Sequence, residues 1–280
     1  MPIKPLGRMF ALAALACSLV PLFGQQPSES HDYHALVTQG QEALKQNRLV
    51  EAARAFQRAV DINPSSVKAN QGLGVALYRR LAAGDVRPSA YSDVANRAEA
   101  HLAQAAQLSP SAPAPLLDLA DLESLLAHGS ADPGQRAEFF KKARHALKQA
   151  ISLEPSDARI YLRLASLEND EFGPVLQQAK AHFGKKAGPI PDPTLRHRLQ
   201  QQYGAVINDA IHNAQQASQI NANFQRPLLL LSRLFAERAL IRDTQDEYSA
   251  DMHTAADWRR QFLAVGGHVD STTGGKSINQ

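Results

Sequence analysis

Pro64, Pro110 and Pro155 each stand 12 residues after an alanine (Ala52, Ala98, Ala143) and 10 residues before a small residue (Gly74, Ala120, Ala165). Offsets held over three joins require a repeated structural unit, and that requirement constrains the fold more than any other feature of the chain. Between each alanine and its proline lie Ala52-Phe56-Ala59, Ala98-Leu102-Ala105 and Ala143-Leu147-Ala150. Steps of four and three draw one apolar face along a helix, and the proline stops it. Leu73, Leu119 and Leu164 precede the small residues of the following helices. Only 6% of the 280 residues are aromatic, so these helices must be held close through small side chains.

The first unit runs from Tyr33 to Pro64 and carries Gly40, then Ala52, Phe56, Ala59 and Asn63-Pro64. This skeleton resembles the tetratricopeptide repeat (TPR), a 34-residue helix-turn-helix unit, and lacks only the family's large apolar residue at Gln39. The resemblance implies an all-α, right-handed superhelical solenoid in which each pair buries its apolar face against the next. Two further units extend it. Leu195, Leu199, Tyr203, Val206, Ala210, Ala214, Ala217 and Ile220 form a long stripe opened by Asp192-Pro193 as cap and first residue. Ser232 falls 10 residues after Ala222, and a fifth unit continues through Ala255, Trp258 and Phe262 to Gly266-Gly267. The expected division is a signal over 1–24, a linker over 25–32, about five units at 33–66, 67–112, 113–157, 158–224 and 225–267, and a disordered tail over 268–280.

The departures from the family lie between the two helices of a unit. The step from small residue to alanine is 12 in the first unit but 24, 23, 45 and 23 in the others, which predicts lengthened helices. Turns are expected at 84–92 and 129–135. The largest insertion, 172–192, contains Gly173-Pro174, Gly184 and Pro189-Ile190-Pro191 and predicts a short extra helix over 175–183. Such insertions line one edge of a solenoid and serve either specificity or, more commonly, as flexible filler.

At the start of the chain, Lys4 and Arg8 precede an apolar run from Met9 to Val20, broken by Pro21 before Gly24. This is the pattern of a secretory signal cut after Gly24. The expectation is an exported protein, periplasmic or extracellular, with no spanning segment. Ala14-Leu15-Ala16-Cys17 loosely resembles a bacterial lipobox, so lipid anchoring through Cys17 is the alternative. Without Lys4 and Arg8 the chain has 28 bases against 27 acids, net +1, too little for the positive field that nucleic-acid binding needs. Cys17 is the sole cysteine, which leaves no pair for a disulfide or a thiolate metal site.

Catalytic signatures are absent: there is no His-Glu-x-x-His helix, Gly-x-Ser-x-Gly elbow or phosphate loop. No catalytic, cofactor or metal site is therefore expected. His31 and His34 are three apart but lack a third ligand, and His101, His145 and His212 lie beside the core face of second helices. Asp118 with Asp121, and Asp170 with Glu171, read as solvated surface charge; so do Lys185, Lys186, Arg196, His197 and Arg198 beside the insertion.

In the tetratricopeptide family, first helices line a concave groove that holds an extended peptide or a partner's helix. Carried over from the small residue of each first helix, the groove positions are His34, Val37 and Gln41, then Lys68, Gln71, Tyr78 and Arg79. Later units supply Leu117, Asp121, Arg159, Leu162, Ser166, Asn169, Arg226, Leu229 and Arg233. Bases outnumber acids among them, which implies an acidic partner. Val37 and Gln41 replace the Lys-and-Asn clamp that some relatives use for a terminal carboxylate. The resemblance thus implies an exported scaffold or adaptor, not an enzyme, serving envelope assembly or secretion; a helical-repeat enzyme or small-ligand receptor is the alternative.

Overall fold

The computed structural model describes residues 26–184 and 187–266, and their side chains from residue 32 onward. The expected signal with Cys17, the His31 side chain, Lys185-Lys186 and the tail over 268–280 lie outside the described residues. Among the described residues there are ten α-helices, one 3-10 turn at Pro88–Ala90 and no strand. The helices are α1 Gln26–Lys45, α2 Leu49–Ile62, α3 Val67–Ala82, α4 Tyr91–Leu108 and α5 Ala114–Gly129. They continue as α6 Pro133–Leu153, α7 Ala158–His182, α8 Pro193–Ile220, α9 Gln225–Ala239 and α10 Gln245–Ala264. Consecutive helices pack as five antiparallel pairs, and each pair stacks on the next to give a solenoid of lengthened helix-turn-helix units.

The second helices end where the prolines require. A residue before proline is driven out of the α region, and Asn63, Ser109 and Glu154 have φ of −136°, −135° and −131°, each one residue past the last helical turn. Asn221 adopts −138° ahead of Ala222, so the joint persists without proline. Helix starts are fixed by side chains that accept orphan backbone N–H groups: Ser66 from Ala69, Asp132 from Gly134 and Gln135, Asp192 from Thr194 and Leu195. Thr244 and Glu247 form a reciprocal capping box at the start of α10.

Small residues mark the helix crossings. The Phe56 ring of α2 lies between Gly40 of α1 and Gly72 of α3, and a Cβ on either glycine would come within 3 Å of it. Leu102 of α4 fills the same place against Gly74. The alanines of the repeat, Ala52, Ala98, Ala143 and Ala210, are wholly buried.

The segment after Phe172 differs from expectation. No separate helix forms over 175–183, because α7 runs unbroken through Gly173-Pro174 to His182. An internal proline costs ~3 kcal/mol, but Phe172 and Leu176 on either side of it are completely buried against α8 and α9, and each contributes about 1.5–3 kcal/mol. Nor is the loop that follows loose filler at its C-terminal end. Ile190 is buried, its N–H donates to Leu240 O (2.8 Å), and Arg196 donates to Ile190 O (2.7 Å).

One asymmetry positions the candidate site. Among the first helices α1 touches α3, α3 touches α5 and α7 touches α9, and side chains of α5 and α7 pair across the remaining join, whereas the second helices make no comparable contact with one another. First helices therefore form the inner side of the curve.

Candidate functional site

Each inner helix carries a polar stripe beside its core face. In α5 it is Asp118, Asp121, Leu125 and His128; in α7, Arg163, Ser166, Asp170, Gly173 and Gln177. Both follow spacings of three and four residues, which keep side chains on one line of a helix. In α3 the stripe carries Gln71 and Tyr78, and in α9 Arg233 and Glu237.

The structure joins these stripes. Gln71 donates to Asp118 Oδ2 (2.6 Å), linking α3 to α5, and Arg163 Nη2 lies 3.3 Å from Asp121 Oδ2, linking α5 to α7. Tyr78 is half-buried beside them, and burial with the Asp121 and Asp118 charges pushes its phenol up. Burial also raises both carboxyls, Asp118 against the opposing Gln71 hydrogen bond and Asp121 against Arg163. Farther along, His128 Nε2 stands 3.6 Å from Asp170 Oδ2, while its Nδ1 lies 2.6 Å from the Ser124 carbonyl and must be the protonated nitrogen. Burial raises the Asp170 carboxyl, with the His128 charge and an Asn169 hydrogen bond opposing. Glu237 is buried on α9, accepts from Arg233 Nε (2.9 Å) and Gln177 Nε2 (3.4 Å), and is raised by burial despite both.

Of the groove residues carried over from the repeat, Gln71, Tyr78, Asp121, Ser166 and Arg233 lie on these inner stripes. His34, Gln41, Lys68 and Arg226 are exposed or half-exposed on the same set of helices, at or toward the ends of the array. Asn169 is buried, and Val37 and Leu162 belong to the core rather than to a groove. Leu117 and Leu229 are half-buried.

The expected positive surplus is reduced by intramolecular partners to three of its five bases, while Lys68 and Arg226 stay exposed. Arg79 turns away to the end of α1, donating to Leu44 O (3.2 Å) and to Oδ1 of Asn47 (3.0 Å). Arg159, 81% exposed at the start of α7, is paired in a fork with the capping residue Asp157. Arg233 is held by Glu237. Against them stand carboxylates that the count from the small residue passes over, Asp118, Asp170 and Glu237. Asp118, Asp121 and Asp170 are accordingly not bland solvated charge, and Glu171 pairs with Arg144.

Other candidates take structural places. His101 Nδ1 bonds Asn70 Oδ1 (2.9 Å) between α4 and α3, while His145 and His212 lie outside the core. Among the described residues no group of three His, Cys, Asp or Glu side chains is placed to hold a metal ion, and no helix is long and apolar enough to cross a membrane. Two shallow clefts lie at unit ends, one around Asn47, Val50 and Asp85, the other around Asp157, Ile220 and Phe224.

No family model and no curated protein matches the sequence. Solved structures do match in fold. A MamA protein superposes with a TM-score of 0.53 at 14% identity over 86% of this chain and 99% of its own. A MamA fragment from Desulfovibrio magneticus RS-1 gives 0.50 at 13% identity over 84% and 95%. A thermophilic TPR protein of Thermus thermophilus gives 0.47 at 15% identity over 83% and 98%. At such identities the likeness is one of fold: the chain is a TPR-like helical-repeat solenoid.

Proposed function

We propose that the chain is an exported adaptor, without catalytic activity of its own, that holds a segment of a partner protein against the inner face of α3, α5, α7 and α9. One observation carries this reading: half-buried polar and aromatic side chains from consecutive units, Gln71, Tyr78, Asp121 and Ser166 among them, converge on one continuous surface. A helical-repeat solenoid presents such a surface over many units at once, suited to an extended or helical segment. Export is supported by Lys4, Arg8 and the apolar run that ends before Gly24, and would put the work in envelope assembly or secretion.

A photo-crosslinking residue introduced at Tyr78 or Ser166 is expected to capture a defined protein from envelope extract, whereas one at Ile220 on the outer helices should not. Equal labelling from both faces would overturn the assignment. Mass spectrometry of the purified protein should find a start near Gln25; an acylated N-terminal Cys17 would establish lipid anchoring instead.

A further inference from the structure

The apolar core is not continuous along the array. One cluster spans α1 to α5, a second α5 to α7 and a third α7 to α10, so the core divides at α5 and again at α7. Packing between consecutive helices is also thinnest at the two joins that precede these helices, α4 to α5 and α6 to α7. Each of the two joins holds a buried carboxyl: Glu123 of α5 is 1% exposed and Glu168 of α7 is 0% exposed.

At both joins one base of α6 stands between two carboxyls. Lys142 Nζ lies 2.7 Å from Glu99 Oε1 of α4 and 3.8 Å from Glu123 Oε1, while Glu123 Oε2 has no hydrogen-bond partner. Arg144 pairs with Glu171, and its Nε is 3.7 Å from Glu168 Oε1, too far for a hydrogen bond and leaving that oxygen without one. The other Glu168 oxygen accepts from Asn213 Nδ2 of α8 (2.9 Å). The remaining charged groups that face the pair are Glu138 of α6 toward Glu123, and Lys148 of α6 with Asp209 of α8 toward Glu168. While Glu123 and Glu168 are neutral, Lys142 balances Glu99 and Arg144 balances Glu171. Ionisation adds to each join a buried negative charge that no base is left to match.

We infer that the two joins bounding the α5–α6 unit are proton-controlled hinges, closed while Glu123 and Glu168 are neutral and loosened when they ionise. A buried charge short of partners is relieved by reaching water, and the join with the thinnest packing opens most readily. Burial and the Glu99 charge raise Glu123 to about 8, and burial raises Glu168 to about 7, so the hinges are closed in mild acid and loosen as pH rises through these values. The Gln71–Asp118 and Asp121–Arg163 links cross from α3 to α5 and from α5 to α7, so loosening disturbs the inner face on both sides of α5. The hinges stand on packing and charge alone, whatever the inner face binds.

The test is hydrogen exchange of the purified full chain, read by mass spectrometry over a series from pH 5.5 to pH 8.5, with labelling times scaled to the intrinsic exchange rate at each pH. Protection in α5 and in the facing parts of α4, α6 and α7 is expected to fall about tenfold or more beyond any fall in α2 and α9. The double variant Glu123→Gln with Glu168→Gln, a neutral mimic of the protonated pair, should keep its protection at pH 8.5. Glu99→Gln should move the midpoint at the first join to lower pH, because Glu123 loses its like-charged neighbour and gains Lys142. A fall spread evenly over all the helices, a local fall that survives in the double variant, or an unmoved midpoint in Glu99→Gln would overturn the inference. Should the double variant fail to fold, the Glu99→Gln midpoint decides.

Discussion

Glu123 and Glu168 occupy one position of the repeat, three residues after the small residue, where other units place Ala43, Leu77 and Phe235. Both carboxylates are buried in α5 and α7. Burial raises Glu123 to about 8, with the like charge of Glu99 adding to it and Lys142, 3.8 Å away, opposing. Burial raises Glu168 to about 7, opposed by the Asn213 hydrogen bond (2.9 Å) and by Arg144. The difference follows from the preceding second helix, which offers Glu99 to one and Arg144 to the other at equivalent places. A carboxyl with a raised native pKa keeps its proton in the folded chain while the unfolded chain releases it, so folding stability falls as pH rises between the two values. For Glu123 that window runs from about 4.5 to about 8, and for Glu168 from about 4.5 to about 7. Thermal melts from pH 5 to pH 8.5 should therefore show a decline that Glu123→Gln flattens; an unchanged slope in that variant would remove the argument. The groove was legible in part at this scale. Counting from the small residue finds Gln71, Tyr78 and Asp121, but it passes over Asp118, Arg163 and Asp170, which a search for the second, polar stripe along each first helix would have found. That Arg79 turns away to Leu44 and Asn47 depends on where α1 ends in space, and no local pattern encodes it.

Helix boundaries were legible where a local rule acts alone, as with Asp192-Pro193 and the prolines two residues past α2, α4 and α6. They were not legible in α7, where the rule that proline stops a helix competes with the burial of Phe172 and Leu176, and burial wins. Pro174→Ala is expected to restore the missing donor and raise stability by ~1–3 kcal/mol, since the exposed proline ring contributes little packing; a lower melting temperature would contradict this. The Phe56 contact makes the opposite case. Phe56→Ala empties the space between Gly40 and Gly72 and should cost ~3–5 kcal/mol. Gly72→Val overfills it and should cost ~1–3 kcal/mol, measured by urea unfolding. In the last pair, Asp251 of α10 accepts from Arg238 (2.6 Å) and Arg242 (2.6 Å) of the preceding segment. Burial alone would raise this carboxyl, but the two arginines bring it below the usual range. Asp251→Ala should cost about 3 kcal/mol, because it strands both guanidinium groups.

At the scale of the whole molecule, each helix pair touches only its neighbours, so stability is distributed along the array rather than pooled in one core. Hydrogen exchange is expected to be slowest in α3 to α8 and faster in α10, which buries only Asp251, Ala255 and Phe262; uniform protection along the chain would refute this. The nearly equal φ angles at Asn63, Ser109, Glu154 and Asn221 have a mechanical meaning. They are the same joint used four times, so a rotation of a few degrees taken up at each adds in one sense, and the solenoid winds or unwinds as a spring does. On the proposed reading, a segment held by side chains from four units spans several of those joints. Tension on the ends of the array shifts its inner contacts out of register together, so the grip is set by the pitch of the spring as well as by the residues that line it.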